Sequence, residues 1–215
     1  MKILFLFLLI FSPILWIKFF LYKNKTYKIN FKSTFFVFIF GFISCGFCFL
    51  FYNFIDYLGF PPYFVVLYNN LLLFLLYCIF IVGAIEEGFK LLSCFLCKLF
   101  NKNIVYNKIN IITFSCIIGV GFAFFENIIY FQEFDPLTLL ARLFCSSFIH
   151  AMFCSIWGYY LFDSKNYKKF ISFFISAICH GLYDYFVIIH LNILSAIIIL
   201  LMYLWFYKNG KINEK

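Results

Sequence analysis

A chain of 215 residues that is 66% hydrophobic, 26% aromatic and only 12% charged has too few polar side chains to cover a water-facing surface. That excludes an ordinary soluble domain and makes lipid the solvent for most of the chain. The formal charge of +8 does not point to nucleic acid, because the lysines are spread over loops between apolar runs, where anionic lipid headgroups account for them.

A bilayer core takes roughly 20 apolar residues as helix. Seven apolar runs of suitable length follow in order: 3–21, 34–54, 63–96, 111–131, 137–162, 170–189 and 192–207. They predict an all-α, polytopic membrane bundle of seven transmembrane helices, read as one domain over 1–215. The first run has a signal peptide's shape, with Lys2 ahead of it, but no small-residue cleavage site follows, so it is expected to be retained. The third is too long for one upright crossing, and is either a tilted helix or two pieces broken near Gly83 or Gly88. Lysine-rich connections at 23–32, 98–108, 163–169 and after Tyr207 alternate with connections that lack lysine and arginine, at 55–63, at 132–136 and at His190–Leu191. Since basic loops stay on the cytoplasmic side, the amino terminus is expected outside and the carboxyl terminus inside. All nine cysteines lie in apolar runs or, for Cys97, directly at the end of one, where they pack as small hydrophobes; the lone Cys94-x-x-Cys97 pair is expected to be packing too.

The informative residues are the ionisable ones at membrane depth: Glu86, Glu87, Lys90, Glu126, Arg142, His150, His180 and Asp184. A charged group near a bilayer centre costs about 2.5–3.5 kcal/mol on insertion scales, so such groups normally face an interior and are paired or functional. Glu86 and Lys90 are four apart and share a helix face, with Glu87 about a quarter turn away. One glutamate can therefore pair while the other stays available. His180 and Asp184 are also four apart, which places the carboxylate where it could orient the imidazole. Arg142, about one turn inside its span, is expected to snorkel and is left out of the site. Asn127 is expected to hydrogen-bond across the bundle. The "GVG" at 119–121 has no preceding strand, so it is read as close helix packing and not as a dinucleotide fingerprint.

Glu86-Glu87-x-x-Lys90 resembles the EExxK motif of PrsW-type intramembrane proteases, and Phe122-x-x-x-Glu126-Asn127 resembles their FxxxE segment. His150 with the residues after it is similar to the third motif, and His180-x-x-x-Asp184 to the fourth. Order and placement on successive helices match as well. The related CAAX prenyl proteases and Abi proteins carry an arginine in the first motif and a histidine where Glu126 stands, so Lys90 and Glu126 favour the PrsW branch. The resemblance implies substrates that are single-span membrane proteins, such as anti-sigma factors, and a bacterial plasma membrane location.

Peptide hydrolysis needs an activated water, a donor to the leaving amine and something to hold the oxyanion. In this reading one of Glu86 and Glu87 activates the water, with Glu86 preferred, while Lys90 holds the other. Glu126 helps position the water, and His180, oriented by Asp184, donates to the oxyanion or the leaving group. Glu126, His150 and His180 would also compose a zinc set with an open position if the reaction were metal-dependent, although the metal-independent route is preferred. Counting residues along straight helices sets Glu86 nearer the cytoplasmic side than Glu126, so one site requires that gap to be bridged. A proton-coupled transporter, or a membrane binding protein without catalysis, would use the same buried groups.

Overall fold

The computed structural model describes residues 2–23, 29–59, 65–66, 70–100, 108–132, 136–161 and 165–209. Among them every regular element is helical, and seven helices are long and apolar enough to cross a membrane. These are α1 (Lys2–Lys23), α2 (Phe31–Tyr57), α3 (Leu71–Phe100), α4 (Lys108–Ile129), α5 (Pro136–Tyr160), α6 (Asn166–Ile188) and α7 (Asn192–Asn209). The all-α, seven-helix membrane architecture is thus present. Most of the lysine-rich connections that carried the orientation argument lie outside the described residues.

Helix starts follow caps more than hydropathy. Asn30 accepts a hydrogen bond from the Ser33 amide at 2.7 Å and starts α2 three residues before the apolar run does. Asn70 accepts from the Leu72 and Leu73 amides at 2.8 and 3.2 Å, so the third span begins at Leu71 and not at position 63. Pro136 opens α5, where its missing amide hydrogen leaves no helical bond unmade.

The long third span breaks at neither Gly83 nor Gly88. It runs on as one helix to Phe100 through a π-helical stretch, Cys78–Gly83, between α-helical Leu71–Tyr77 and Ala84–Phe100. Such an expanded turn inside an α-helix frequently marks a functional site. Here it coincides with the close crossing of α3 and α6. A Cβ on Gly83 would fall 2.2 Å from the Ala177 carbonyl oxygen, and one on Gly181 2.4 Å from the Cys78 oxygen. With hydrogen in both places the two backbones touch, which brings the polar residues just beyond each glycine together.

Helices α4 and α5 are the most enclosed. A Cβ on Gly119 would lie 2.6 Å from the His150 carbonyl oxygen, and one on Gly121 would lie 2.3 Å from that of Phe38 on α2. The "GVG" segment is therefore close helix packing, as its sequence context implied. Cys94 and Cys97 are buried with Val37, Ile117 and Trp157 in an apolar cluster, so the CxxC pair packs among apolar side chains. Helix α1 docks on α5 through two polar contacts: the Ser12 hydroxyl donates to the Leu143 carbonyl, and the Trp16 indole donates to the Phe144 carbonyl at 2.9 Å.

Candidate active site

Four helices point their ionisable residues into one cluster. From α3, Lys90 is fully enclosed, and its Nζ lies 2.9 Å from Glu87 Oε1 and 3.4 Å from Glu86 Oε2. The same ammonium sits 2.9 Å from His150 Nδ1 on α5 and 4.0 Å above the Phe122 ring of α4, so it is paired, hydrogen-bonded and stacked at once. The i,i+4 spacing allows Glu86 as its partner, while the division of roles assigned Lys90 to the other glutamate. The i,i+3 contact to Glu87 is the shorter one, and Lys90 bridges both glutamates.

Glu87 has no solvent exposure and no vacant oxygen. Its Oε1 accepts from Lys90 and from His180 Nδ1 at 3.0 Å, and its Oε2 accepts from the Trp157 indole at 2.9 Å and faces the Ser176 hydroxyl at 3.0 Å, with Cys154 Sγ at 3.8 Å. A desolvated carboxylate is tolerable only when its lone pairs are satisfied in this way. Glu86, one residue earlier, keeps 12% of its side chain exposed and has only long contacts, to Lys90 and to His180 Nε2 at 3.5 Å.

Asp184 meets the His180 ring as the i,i+4 spacing allows, and a second carboxylate reaches it that the spacing does not show. Glu87, not Asp184, takes its Nδ1, while Asp184 Oδ2 approaches Nε2 from the other side at 3.4 Å. A carboxylate four residues along the same helix meets the far ring nitrogen, whereas Glu87 arrives from α3 across the Gly83–Gly181 crossing. Phe153 stacks on the His180 ring at 4.9 Å between centroids and fixes its plane.

Glu126 extends the cluster along α4. Arg142 Nη2 donates to its Oε1 at 2.8 Å, and His150 Nε2 meets its Oε2 at 2.9 Å. Arg142 thus does not simply snorkel as expected; it is bound to a site carboxylate and lies 4.8 Å over the Tyr130 ring. Lys90 and the His150 ring connect Glu86 to Glu126 through contacts of 3.4, 2.9 and 2.9 Å, so the two carboxylates share one site. Asn127 is buried, and its side-chain oxygen has no hydrogen-bond partner among the described residues.

Sequence reasoning missed Trp157, Ser176 and Tyr52. The first two cap Glu87 Oε2, and the Tyr52 hydroxyl donates to the Val82 carbonyl of the π-helical stretch at 3.3 Å. None carries a formal charge, so none stood out in an apolar helix. The only signal was a polar hydrogen on the same face of α5 as His150, seven residues on for Trp157.

One atom from each of Glu86, His150 and His180 lies within 4.8 Å of the others. Two imidazoles and a carboxylate with a fourth position open are a donor set zinc accepts. Glu86 stands here in place of Glu126, whose two oxygens are already engaged by Arg142 and His150. The charge balance fits a cation as well, since four carboxylates (Glu86, Glu87, Glu126, Asp184) face Lys90 and Arg142 as the permanent cations.

A family model described as "PrsW family intramembrane metalloprotease" matches residues 30–208, most of the chain and all four motif-bearing helices. The chain belongs to the PrsW family. A curated relative, "Protease PrsW" of Clostridioides difficile (strain 630), is 31% identical over 156 residues. That match covers 65% of this chain and 64% of the relative, less than two thirds of its length. No solved structure matches the chain. The PrsW match begins just before α2, so α1 lies outside it while packing directly on α5.

Proposed function

We propose that this chain is an intramembrane endopeptidase that hydrolyses a peptide bond in a single-span membrane protein, with Glu86 as the general base. The observation that carries the proposal is the asymmetry of the two glutamates: Glu87 is saturated by donors from three helices, and Glu86 is partly exposed with no hydrogen bond or ion pair shorter than 3.4 Å among the described residues. Of these two, Glu86 is the one with room to take a proton from a water. PrsW family membership and the protease named among its relatives support the reaction class.

In this mechanism Glu86 abstracts a proton as the water oxygen bonds to the scissile carbonyl carbon. His180 Nε2, 3.5 Å from Glu86, supplies a proton to the leaving nitrogen as the C–N bond breaks. Glu87 on Nδ1 keeps that ring oriented and balances the charge it carries when protonated at both nitrogens. Lys90 offsets Glu87 in turn, and Arg142 and Glu126 fix His150. If the family's metal is bound, Glu86, His150 and His180 would hold it, and it would supply Lewis-acid polarisation of the carbonyl and an acidified water. An anti-sigma factor as substrate, a bacterial plasma membrane and an inside carboxyl terminus belong to this proposal, on the strength of the motif resemblance and the lysine distribution.

The test is cleavage of a co-reconstituted, tagged single-span protein by purified wild type and by Glu86→Ala, each with and without a strong zinc chelator. Cleavage that needs Glu86 and survives chelation supports the glutamate route. Reversible loss on chelation assigns the trio to a metal. Cleavage that Glu86→Ala leaves intact overturns the assignment of the base.

A further inference from the structure

Whether this site can take a metal turns on a contact outside the trio itself. An ammonium group has hydrogens to give and no lone pair, so at 2.9 Å from His150 Nδ1 it donates, and Nδ1 accepts. A neutral imidazole has one such lone pair. With Nδ1 accepting, the ring hydrogen sits on Nε2, where Glu126 Oε2 receives it at 2.9 Å. Neither nitrogen is then free: Nδ1 is occupied by Lys90, and Nε2 carries a hydrogen. Metal ligation through either nitrogen requires the Lys90 bond to be given up, because only then does the ring regain a lone pair. The same ammonium is 3.4 Å from Glu86 Oε2, a second member of the trio.

We propose that Lys90 is the resident cation of this site and closes a latent zinc site formed by Glu86, His150 and His180, so that the ammonium and a divalent ion are alternative occupants. Enclosure strengthens the case, since Lys90 has no exposure, Phe122 covers it, and the α3 backbone fixes it one turn from Glu86. The ammonium cannot swing into water to make way. This inference concerns the site of the proposed protease but does not require that activity, because zinc occupancy is measured without substrate.

The experiment adds zinc alone to the purified full chain in detergent and measures bound metal per chain, with affinity from competition against a chromophoric chelator. Lys90→Met removes the ammonium and keeps the length and apolar stem. Its zinc affinity is expected to rise on the order of 10- to 100-fold over wild type, the range over which groups hydrogen-bonded to a ligating histidine alter affinity. The gain should vanish in Lys90→Met/His150→Ala. Equal zinc binding by wild type and Lys90→Met, or none by either, would overturn the proposal. Should Lys90→Met fail to fold, imidazole nitrogen-15 spectra of the wild type decide, with His150 assigned by its loss in His150→Asn. A hydrogen on Nε2 that one equivalent of zinc leaves in place supports the resident ammonium. A bare Nε2, or a zinc-induced shift of the ring, contradicts it.

Discussion

Removing Glu87 should strongly destabilise this protein, whereas removing Glu86 should only silence it. In Glu87→Ala, the enclosed Lys90 loses its shortest ion pair and keeps only Glu86 at 3.4 Å and His150. Breaking a buried pair from one side costs about 3–5 kcal/mol. The Trp157 indole N–H is also stranded, at about 1–3 kcal/mol, while Ser176 retains the Phe153 carbonyl at 2.8 Å and adds little. Together these approach about 4–8 kcal/mol, a large part of a typical total stability of about 5–15 kcal/mol. Glu86→Ala removes two long contacts at a partly exposed position, worth at most about 1 kcal/mol. At about 2–4 °C per kcal/mol for a chain of this size, the melting temperature in detergent should fall by about 8–30 °C for Glu87→Ala and by less than about 4 °C for Glu86→Ala. The assay is a melting curve followed by loss of the monodisperse peak on gel filtration. A Glu87→Ala protein that melts within a few degrees of wild type would refute the assignment of Glu87 as the buried anchor.

Two glycines on α3 should respond oppositely to one substitution. Gly83→Ala pushes a methyl against the Ala177 carbonyl and should lower the melting temperature despite alanine's better helix propensity; Gly88→Ala meets nothing within 4 Å and should raise stability by up to about 1 kcal/mol. Arg142→Ala removes a charge-assisted bond to Glu126 worth about 1.5–3 kcal/mol, and cleavage should slow by about tenfold or more, with partial rescue by Arg142→Lys. Unchanged turnover in Arg142→Ala would return that residue to the membrane surface. Trp157→Phe keeps the ring and drops the donor to Glu87, so a loss of about 1–3 kcal/mol should appear in the same melting assay.

The seven helices were legible because a bilayer demands long apolar runs and this chain supplies them with few interruptions. Their ends were less so, since Asn30 and Asn70 act through side-chain geometry that hydropathy does not register. The acidic and basic members of the cluster stood out by the cost of burying them. Their pairings did not, because Arg142 meets Glu126, and His180 meets Glu87, across helices. Spacing within one helix named real neighbours, Asp184 for His180 and Glu86 for Lys90, but not the shorter contacts that Glu87 makes to both. The same limit explains why the metal-capable trio contains Glu86 and not Glu126. The π-helical stretch also escaped notice; its sequence, CIFIVG, is an ordinary apolar run, and only the Gly83–Gly181 crossing gives it a role.

The measurement closest to the central claim is single-turnover cleavage of a single-span substrate in proteoliposomes by wild type and by Glu86→Gln, which keeps the side chain's size and removes its basicity. The account predicts cleavage by wild type and none by a Glu86→Gln protein that melts like wild type. Wild-type rates from that folded variant would contradict it.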